Sequence, residues 1–267
     1  MTIGEWLKQA QAALEGAKIL TARLDCLVLL ADELAKDKSW LLSHPEYKLQ
    51  GSILENLNTK IAQRATHTPL AYIRGHAEFY GREFVVNKHT LVPRPETESM
   101  IELVKSLKPA AGTHILDIGT GTGCIAITTA LELPSTQVSA CDIDEACLKI
   151  AEKNAKKLGA TVTFFSSNLL AAAPPQEIIL TNLPYVPNDF AVNTAATFEP
   201  GLALFGGPDG LDLYRTLFNQ ITLGSWRPHH IITESLPEQH EQLATIAVAA
   251  GFRLKASDDL AQLFTSD

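Results

Sequence analysis

The chain has 267 residues, 46% of them hydrophobic, which is longer than one compact domain usually runs and apolar enough for two cores, so a large domain with a smaller companion is expected. Its formal charge is −8, divided as 9 basic and 8 acidic side chains in residues 1–75 and 13 basic and 22 acidic in the remainder; a catalytic part at −9 lacks the basic track of a protein that grips long nucleic acid. Its longest apolar stretches, Leu24–Ala31 and Ile115–Ala130, are interrupted well short of a membrane span, and Met1-Thr2-Ile3-Gly4-Glu5 has no basic and then apolar run, so a cytoplasmic protein with no membrane partner is expected.

Residues 1–74 read as a small helical bundle. Apolar side chains recur at helical spacing in Trp6, Leu7, Ala10, Ala13 and Leu14, and again in Leu24, Leu27, Val28, Leu30, Ala31 and Leu34, with Thr21 placed as an N-cap for the second run. Ser39–Leu42 and Ser52–Ile61 extend the pattern. The bundle shows no chemistry of its own, and an interaction role, the binding of a partner, is expected for it. Residues 75–92 change to short β-like runs, Phe79-Tyr80 and Phe84-Val85-Val86 about a turn at Gly81-Arg82, which predicts a linking hairpin. Pro93 and Pro95 force an extended stretch around Arg94 before Glu96–Leu107 resumes as a helix.

From residue 113 strand and helix alternate, which predicts an α/β domain over 93–267 with a parallel sheet covered on both faces. The strands are His114–Ile118, Gln137–Ile143, Thr161–Phe165, Glu177–Thr181 and His230–Glu234, followed by an antiparallel pair, Gly251–Lys255 and Ala261–Thr265, for seven in all. Helices at Gly123–Leu133 and Glu145–Leu158 separate the first three, the latter capped by Asp144 and stopped by Gly159. Cys26, Cys124, Cys141 and Cys147 have neither metal nor redox spacing and sit in apolar patterns, and the adjacent His229 and His230 would point to opposite sheet faces, so no metal is expected.

Three places carry chemistry. Asp117-Ile118-Gly119-Thr120-Gly121-Thr122-Gly123 lies where a strand gives way to a helix, and its glycines would let backbone and amide N–H groups approach a ligand. The G-x-G-x-G spacing differs from the dinucleotide pattern, and Asp117 would repel a pyrophosphate but could meet the ammonium of a methionine moiety. Asp142 ends the second strand 23 residues after Gly119, where a carboxylate can accept both ribose hydroxyls of an adenosine; that alone does not separate this cofactor from a nicotinamide dinucleotide. Asn182-Leu183-Pro184-Tyr185 follows an apolar strand and would face the same crevice. The Asn182 side-chain oxygen and the Leu183 carbonyl can each accept one hydrogen of an NH₂ group, while Tyr185 packs on a planar substrate. Two acceptors would hold a weakly nucleophilic amide nitrogen with its lone pair aimed at a sulfonium methyl and stabilise the charge that develops on it.

Along nearly its whole length the chain resembles the HemK/PrmC family, the protein-(glutamine-N5) methyltransferases of peptide chain release factors. The matching segments are Thr21-Ala22-Arg23-Leu24-Asp25, Pro69-Leu70-Ala71-Tyr72-Ile73 with Gly75, Glu78-Phe79-Tyr80-Gly81, Val92-Pro93-Arg94-Pro95-Glu96-Thr97-Glu98, the glycine loop, Asp142-Ile143, the Asn182 tetrapeptide, and Phe198-Glu199-Pro200 followed by Gly206–Leu211. The tetrapeptide is shared with DNA adenine methyltransferases; the arginine-proline-glutamate segment beside a helical bundle is not. The resemblance implies a seven-stranded Rossmann-like class I methyltransferase sheet, S-adenosylmethionine as cofactor with S-adenosylhomocysteine as its product, and a class I release factor as partner, its glutamine lying in a Gly-Gly-Gln loop. It implies cofactor binding by Asp117, Gly119, Thr120, Gly121, Thr122, Gly123, Asp142, Asn168, Leu169 and Asn182, and amide binding by Asn182, Leu183, Pro184 and Tyr185. A monomer that contacts no nucleic acid is expected.

The chain departs from the family pattern at three places. Leu183 stands where relatives carry proline, but the acceptor there is a backbone carbonyl, and Pro184 still biases Leu183 to an extended conformation, so activity is expected with a slightly less rigid loop. Asn168 replaces an acidic residue that receives the adenine amino group, with Leu169 expected to cover the ring. The tail Asp258–Asp267 lacks the arginine-containing ending of relatives. Two other readings compete: an adenine-N6 methyltransferase on nucleic acid, which would need base flipping and phosphate contacts, and a non-catalytic cofactor-binding scaffold that acts through its helical bundle.

Overall fold

The computed structural model describes residues 1–191 and 194–266, which divide into two compact units, 1–75 with 194–198 and 76–191 with 199–266. In the first unit the helical periodicity becomes α1 (Ile3–Gly16), α2 (Ala22–Leu34), α3 (Lys38–Ser43), α4 (Gly51–Ala65) and the short α5 (Leu70–Arg74), the last unforeseen in the sequence. The apolar stripes meet around Trp6, Leu14, Leu29, Leu30, Leu41 and Leu57. α1 opens on a capping box in which the Thr2 hydroxyl accepts from the Glu5 amide and the Glu5 carboxylate accepts from the Thr2 amide at 2.8 Å. Thr21 does precede α2, but its ψ of 16° is not the extended conformation that aims a hydroxyl at the first turn, and it makes no capping bond. Asp25, within the Thr21–Asp25 motif, accepts from Arg64 Nε at 2.7 Å while Arg64 Nη1 donates to the Thr68 carbonyl. Both side chains are buried, so this motif ties α2 to α4; losing one partner alone would cost about 3–5 kcal/mol.

The second unit begins with the hairpin β1 (His76–Phe79) and β2 (Arg82–Val85). Its two turn residues are Tyr80 and Gly81, both at positive φ, one position earlier than the sequence suggested, and Arg82 already belongs to β2. Asn154 of α8 (Glu145–Leu158) holds the hairpin: its Oδ1 accepts from the Val85 amide at 2.7 Å, and its Nδ2 donates to the carbonyls of Val85 and Thr122.

The main sheet contains β3 (His114–Ile118), β4 (Gln137–Asp142), β5 (Thr163–Ser166), β6 (Ile178–Thr181), β7 (His230–Glu234), β8 (Phe252–Asp258) and β9 (Ala261–Ser266), in the order β5-β4-β3-β6-β7-β9-β8, with β9 antiparallel to both neighbours. Alternation along the strands separates two apolar layers. Ile178 and Leu180 pack with α6 (Glu98–Ser106), α7 (Cys124–Glu132) and α8 through Met100, Val104, Ile127 and Ala155. Ile179 and Ile231 pack with α9 (Asp212–Leu223) and α10 (His240–Ala249) through Tyr214, Leu217, Phe218 and Leu243. Asp144 caps α8 and Gly159 ends it in the left-handed conformation, as expected. All four cysteines are buried free thiols.

Strand order reverses between β3 and β6, because the chain moves outward from β3 through β4 to β5 and returns to the other side of β3 with β6. A crevice at the carboxyl ends of such a pair is where α/β sheets receive ligands. Ile118 pairs with both Cys141 and Thr181, and Thr181 with Thr233, so the loops after β3, β4, β6 and β7 emerge at one level. Among the described residues, no helix is long and apolar enough to cross a membrane.

Candidate active site

The loop after β3 does not present its amides outward as the sequence suggested. Gly119 and Thr120 both donate to the Cys141 carbonyl, at 2.9 and 3.0 Å, Gly121 donates to Asp142 Oδ2 at 2.9 Å, and Gly123 to the Thr120 carbonyl at 2.8 Å. These N–H groups are used to fold the loop back onto the end of β4 and are not left to cradle a phosphate. Gly123 serves packing as well: at φ 80°, a Cβ there would meet Ile127 Cδ1 at 2.8 Å and the Ala151 Cβ at 3.0 Å, so its absence lets α7 start close against α8. Thr120 and Thr122 are buried, and Thr122 gives its carbonyl to Asn154.

Beneath this loop Asp117 is fully buried. Its Oδ2 accepts from the Thr120 hydroxyl at 2.6 Å and from the Ala126 amide at 3.3 Å, while Oδ1 has no partner among the described residues. Burial pushes its carboxyl up to about 7, against the pull of those two bonds. Asp142, nearly buried, accepts from Asp144 through Oδ1 and from Gly121 through Oδ2, and burial raises it as well. Two desolvated carboxylates, one with an orphaned oxygen, make this end of the sheet a place for a cation and a poor place for a pyrophosphate.

The loop after β6 carries the tetrapeptide. Asn182 donates its Nδ2 to Thr97 Oγ1 at 3.2 Å, and among the described residues no donor bonds its Oδ1, which leaves that oxygen as an acceptor. Leu183 is buried, and its Cδ2 lies 3.4 Å from where a Cβ on Gly119 would stand, so the tetrapeptide and the glycine loop are neighbours. Its amide donates to the Tyr214 hydroxyl at 3.4 Å, an anchor a proline would lack; among the described residues no donor faces its carbonyl oxygen. Tyr185 donates its hydroxyl to Glu234 Oε1 at 2.9 Å, and burial raises its phenol above the ordinary range.

The segment from Gly206 clamps the other side of this loop. Val186 donates to the Leu204 carbonyl, Gly206 to the Val186 carbonyl and Asn188 to the Gly207 carbonyl, while Gln239 Nε2 spans the carbonyls of Tyr185 and Asp209 at 2.8 and 2.7 Å. A Cβ on Gly210, at φ 81°, would stand 1.9 Å from the Tyr185 carbonyl oxygen. The Gly206–Leu211 motif is therefore a backing plate for Pro184 and Tyr185. Glu199 performs a similar task for the extended stretch before α6: its Oε2 accepts from the Val92 amide at 3.0 Å and its Oε1 from Arg94 at 2.5 Å.

Thr97 was quoted only within the motif from Arg94 to Glu98, without a role in the site, and Tyr214, Glu234 and Gln239 were not singled out from the sequence. Glu234 could have been: a glutamate closing the apolar run Ile231-Ile232-Thr233 at the carboxyl end of a central strand is a costly choice unless it is used. Asn168 is exposed, but Leu169, at φ 52°, turns its side chain into the apolar layer with Ile118 and Cys141. The open apolar surface beside Asp142 comes instead from Ile143, which is 65% exposed. No group of three or more His, Cys, Asp or Glu that could hold a metal occurs among the described residues.

Comparison with known proteins finds the PrmC N-terminal domain over residues 5–75 and the methyltransferase small domain over residues 99–198. The release factor glutamine methyltransferase of Koribacter versatilis is 40% identical over 228 residues, 83% of this chain and 81% of the relative. That of Moorella thermoacetica is 35% identical over 94% of this chain and 91% of the relative, and that of Enterococcus faecalis 38% identical over 69% and 68%. Among solved structures, the hMettl16 catalytic domain in complex with MAT2A 3'UTR hairpin 6 matches with a TM-score of 0.56 at 16% identity over 78% of this chain and 81% of that one. A methyltransferase from Pyrococcus furiosus matches with a TM-score of 0.50 at 16% identity over 79% and 98%. At such identities the likeness concerns the fold alone.

Proposed function

The chain belongs to the release factor glutamine methyltransferase family, and from that premise we propose that it methylates the side-chain amide nitrogen (N5) of the glutamine in the Gly-Gly-Gln loop of class I peptide chain release factors. S-adenosylmethionine, when bound, supplies a sulfonium methyl open to in-line attack. The residues present suit that cofactor: Asp117 has a buried oxygen without a partner for an ammonium, Asp142 a carboxylate for ribose hydroxyls, and the loop between them spends its amides on its own fold. Gly119–Gly123, Asp142 and Ile143 would hold it, with Asn168 at the adenine end.

The single observation that carries the substrate assignment is the committed nitrogen of Asn182. With Nδ2 on Thr97, Oδ1 is the atom left to face a ligand, and with the Leu183 carbonyl it offers two acceptors to one NH₂ group. An amide nitrogen gives its lone pair to its own carbonyl; two acceptors on its hydrogens orient it and favour the positive charge that develops as it is alkylated. No base is required beforehand, because the proton becomes acidic only after transfer. The Tyr185 ring, fixed at its hydroxyl by Glu234, supplies a flat wall for the glutamine amide. Leu183 in place of proline keeps the acceptor carbonyl and adds the amide bond to Tyr214.

The acting species in this reading is a cytoplasmic monomer that docks its partner through the helical unit and contacts no nucleic acid, as the −9 charge of residues 76–267 favours. The test is incubation of the chain with labelled S-adenosylmethionine and a purified release factor. Label should enter one glutamine, and Asn182→Ala should abolish transfer while sparing cofactor binding. Label in duplex DNA or RNA and none in the release factor would overturn the reading.

A further inference from the structure

Glu234 ends β7 with 0% of its surface exposed, a rare position for an ionisable side chain, and among the described residues no salt bridge pairs it. Its Oε1 accepts from the Tyr185 hydroxyl at 2.9 Å; Thr97 and Asn182 stand near enough to hold its pKa down but make no close hydrogen bond to it, and among the described residues Oε2 has no partner. Asn182 gives one N–H to Thr97 Oγ1. The possible hydrogen positions then follow from donor counts. An ionised carboxylate only accepts. A threonine hydroxyl that accepts from Asn182 has one hydrogen left, and it can go to Glu234. The Tyr185 hydroxyl has already given its own. Beside an ionised Glu234 these groups are favoured with a hydrogen turned toward it, and Asn182 does so with its nitrogen on that side and its oxygen on the other.

We infer that Glu234 is a positioning residue for methyl transfer: as an ion it fixes the carboxamide of Asn182 and the ring of Tyr185, so that Asn182 Oδ1 stays the acceptor for the substrate NH₂. This rests on the reading of Asn182 given above. The inference extends to pH. Burial raises the Glu234 carboxyl above the ordinary carboxylate range, repulsion from Glu96 adds to this, and the neighbouring donors Thr97, Tyr185 and Asn182 oppose it. Tyr214 and Cys124 are the other titratable groups that feel its charge. Once protonated, Glu234 acquires an O–H that can donate to Asn182 Oδ1 and free the carboxamide to flip. The rate should therefore fall on the acid side, as pH drops through the Glu234 pKa, and be full above it.

The decisive variant is Glu234→Gln, which keeps the shape, removes the charge and puts a donor beside Asn182. It should lower kcat by about 100-fold, the range seen when one oriented polar group is lost from a site, with the KM for release factor and the Kd for S-adenosylmethionine moved less than about threefold. The acid limb of the kcat profile should vanish. Thr97→Val should lose rate in the same way, and Thr97→Ser should recover most of it; this pair also keeps the question open to test if Glu234→Gln does not fold. Wild-type kcat in Glu234→Gln, an acid limb unchanged in that variant, or parallel losses of cofactor affinity and kcat would each overturn the inference. An active Asn182→Ala would instead remove the reading of the tetrapeptide on which it stands.

Discussion

Asn182 donates its carboxamide nitrogen to the hydroxyl of Thr97, 3.2 Å away and 85 residues earlier in the chain. The bond joins the tetrapeptide after β6 to the stretch from Arg94 to Glu98, the segment most specific to the family resemblance. It also gives the second of these a task in the site. Replacing Asn182 with Asp tests the need for a neutral amide, because the change removes both donor hydrogens and sets a second carboxylate beside buried Glu234. Like charges so placed cannot both ionise. We expect Asn182→Asp to lower methyl transfer by roughly 100-fold or more and to lower Tm, as read by a transfer assay and thermal unfolding.

With Asp117 in the proposed ammonium site, stability and cofactor affinity are expected to depend on pH in opposite senses. The folded chain keeps its proton up to about pH 7, whereas an unfolded chain releases it near the ordinary value of 3.8, so between these limits the folded state binds more protons. The stability this group confers is therefore greatest at acid pH and falls as pH rises toward 7. Binding an ammonium requires the ion instead, so the Kd for S-adenosylmethionine should rise by up to about tenfold per pH unit below 7. Asp117→Asn should flatten that dependence, weaken binding at pH 8 and raise the Tm of the ligand-free chain at the same pH. Calorimetric binding between pH 6 and 8 checks the first two, and thermal unfolding the third.

Two glycines of one loop should respond differently to alanine. A methyl group on Gly121 would meet nothing within 4 Å, so its cost is the left-handed backbone alone, about 1–2 kcal/mol. At Gly123 the same backbone cost is joined by contacts at 2.8 Å with Ile127 and 3.0 Å with Ala151. We expect Gly123→Ala to be destabilised by about 2 kcal/mol more than Gly121→Ala in denaturant unfolding, in the range of overpacked cores. Equal effects would mean that α7 and α8 can separate.

Leu183→Pro restores the family tetrapeptide. It retains the carbonyl proposed to accept the substrate hydrogen and removes only the amide bond to Tyr214, whose 3.4 Å length places it at the weak end of about 0.5–1.5 kcal/mol. The variant should keep kcat within about threefold of the parent in the transfer assay, because an oriented acceptor rather than side-chain identity matters there.

The sheet was legible from strand and helix alternation, since each βα unit repeats its own punctuation: Asp144 and Gly159 around α8 are the clearest case. α9 and α10 were not read, although Asp212–Leu223 and His240–Ala249 carry much of the second apolar layer. At the site, Gly119, Asp142 and Asn182 were legible because their residue types stand at strand ends. The direction of the loop amides was not, as it depends on Cys141 and Asp142 of the neighbouring strand. The roles of Thr97, Tyr214 and Glu234 were not read for the same reason, since they act through partners 31 to 85 residues distant in sequence, although Thr97 lies in a quoted motif and the strand-end position of Glu234 was a usable signal.

The most direct measurement is a crystal structure of the chain with S-adenosylhomocysteine and a glutamine-containing release factor loop. The glutamine NH₂ should sit between Asn182 Oδ1 and the Leu183 carbonyl, each within about 3.2 Å, with the Asn182 nitrogen still on Thr97. An Asn182 carboxamide turned away from that nitrogen, or a glutamine held by other atoms, would contradict the account.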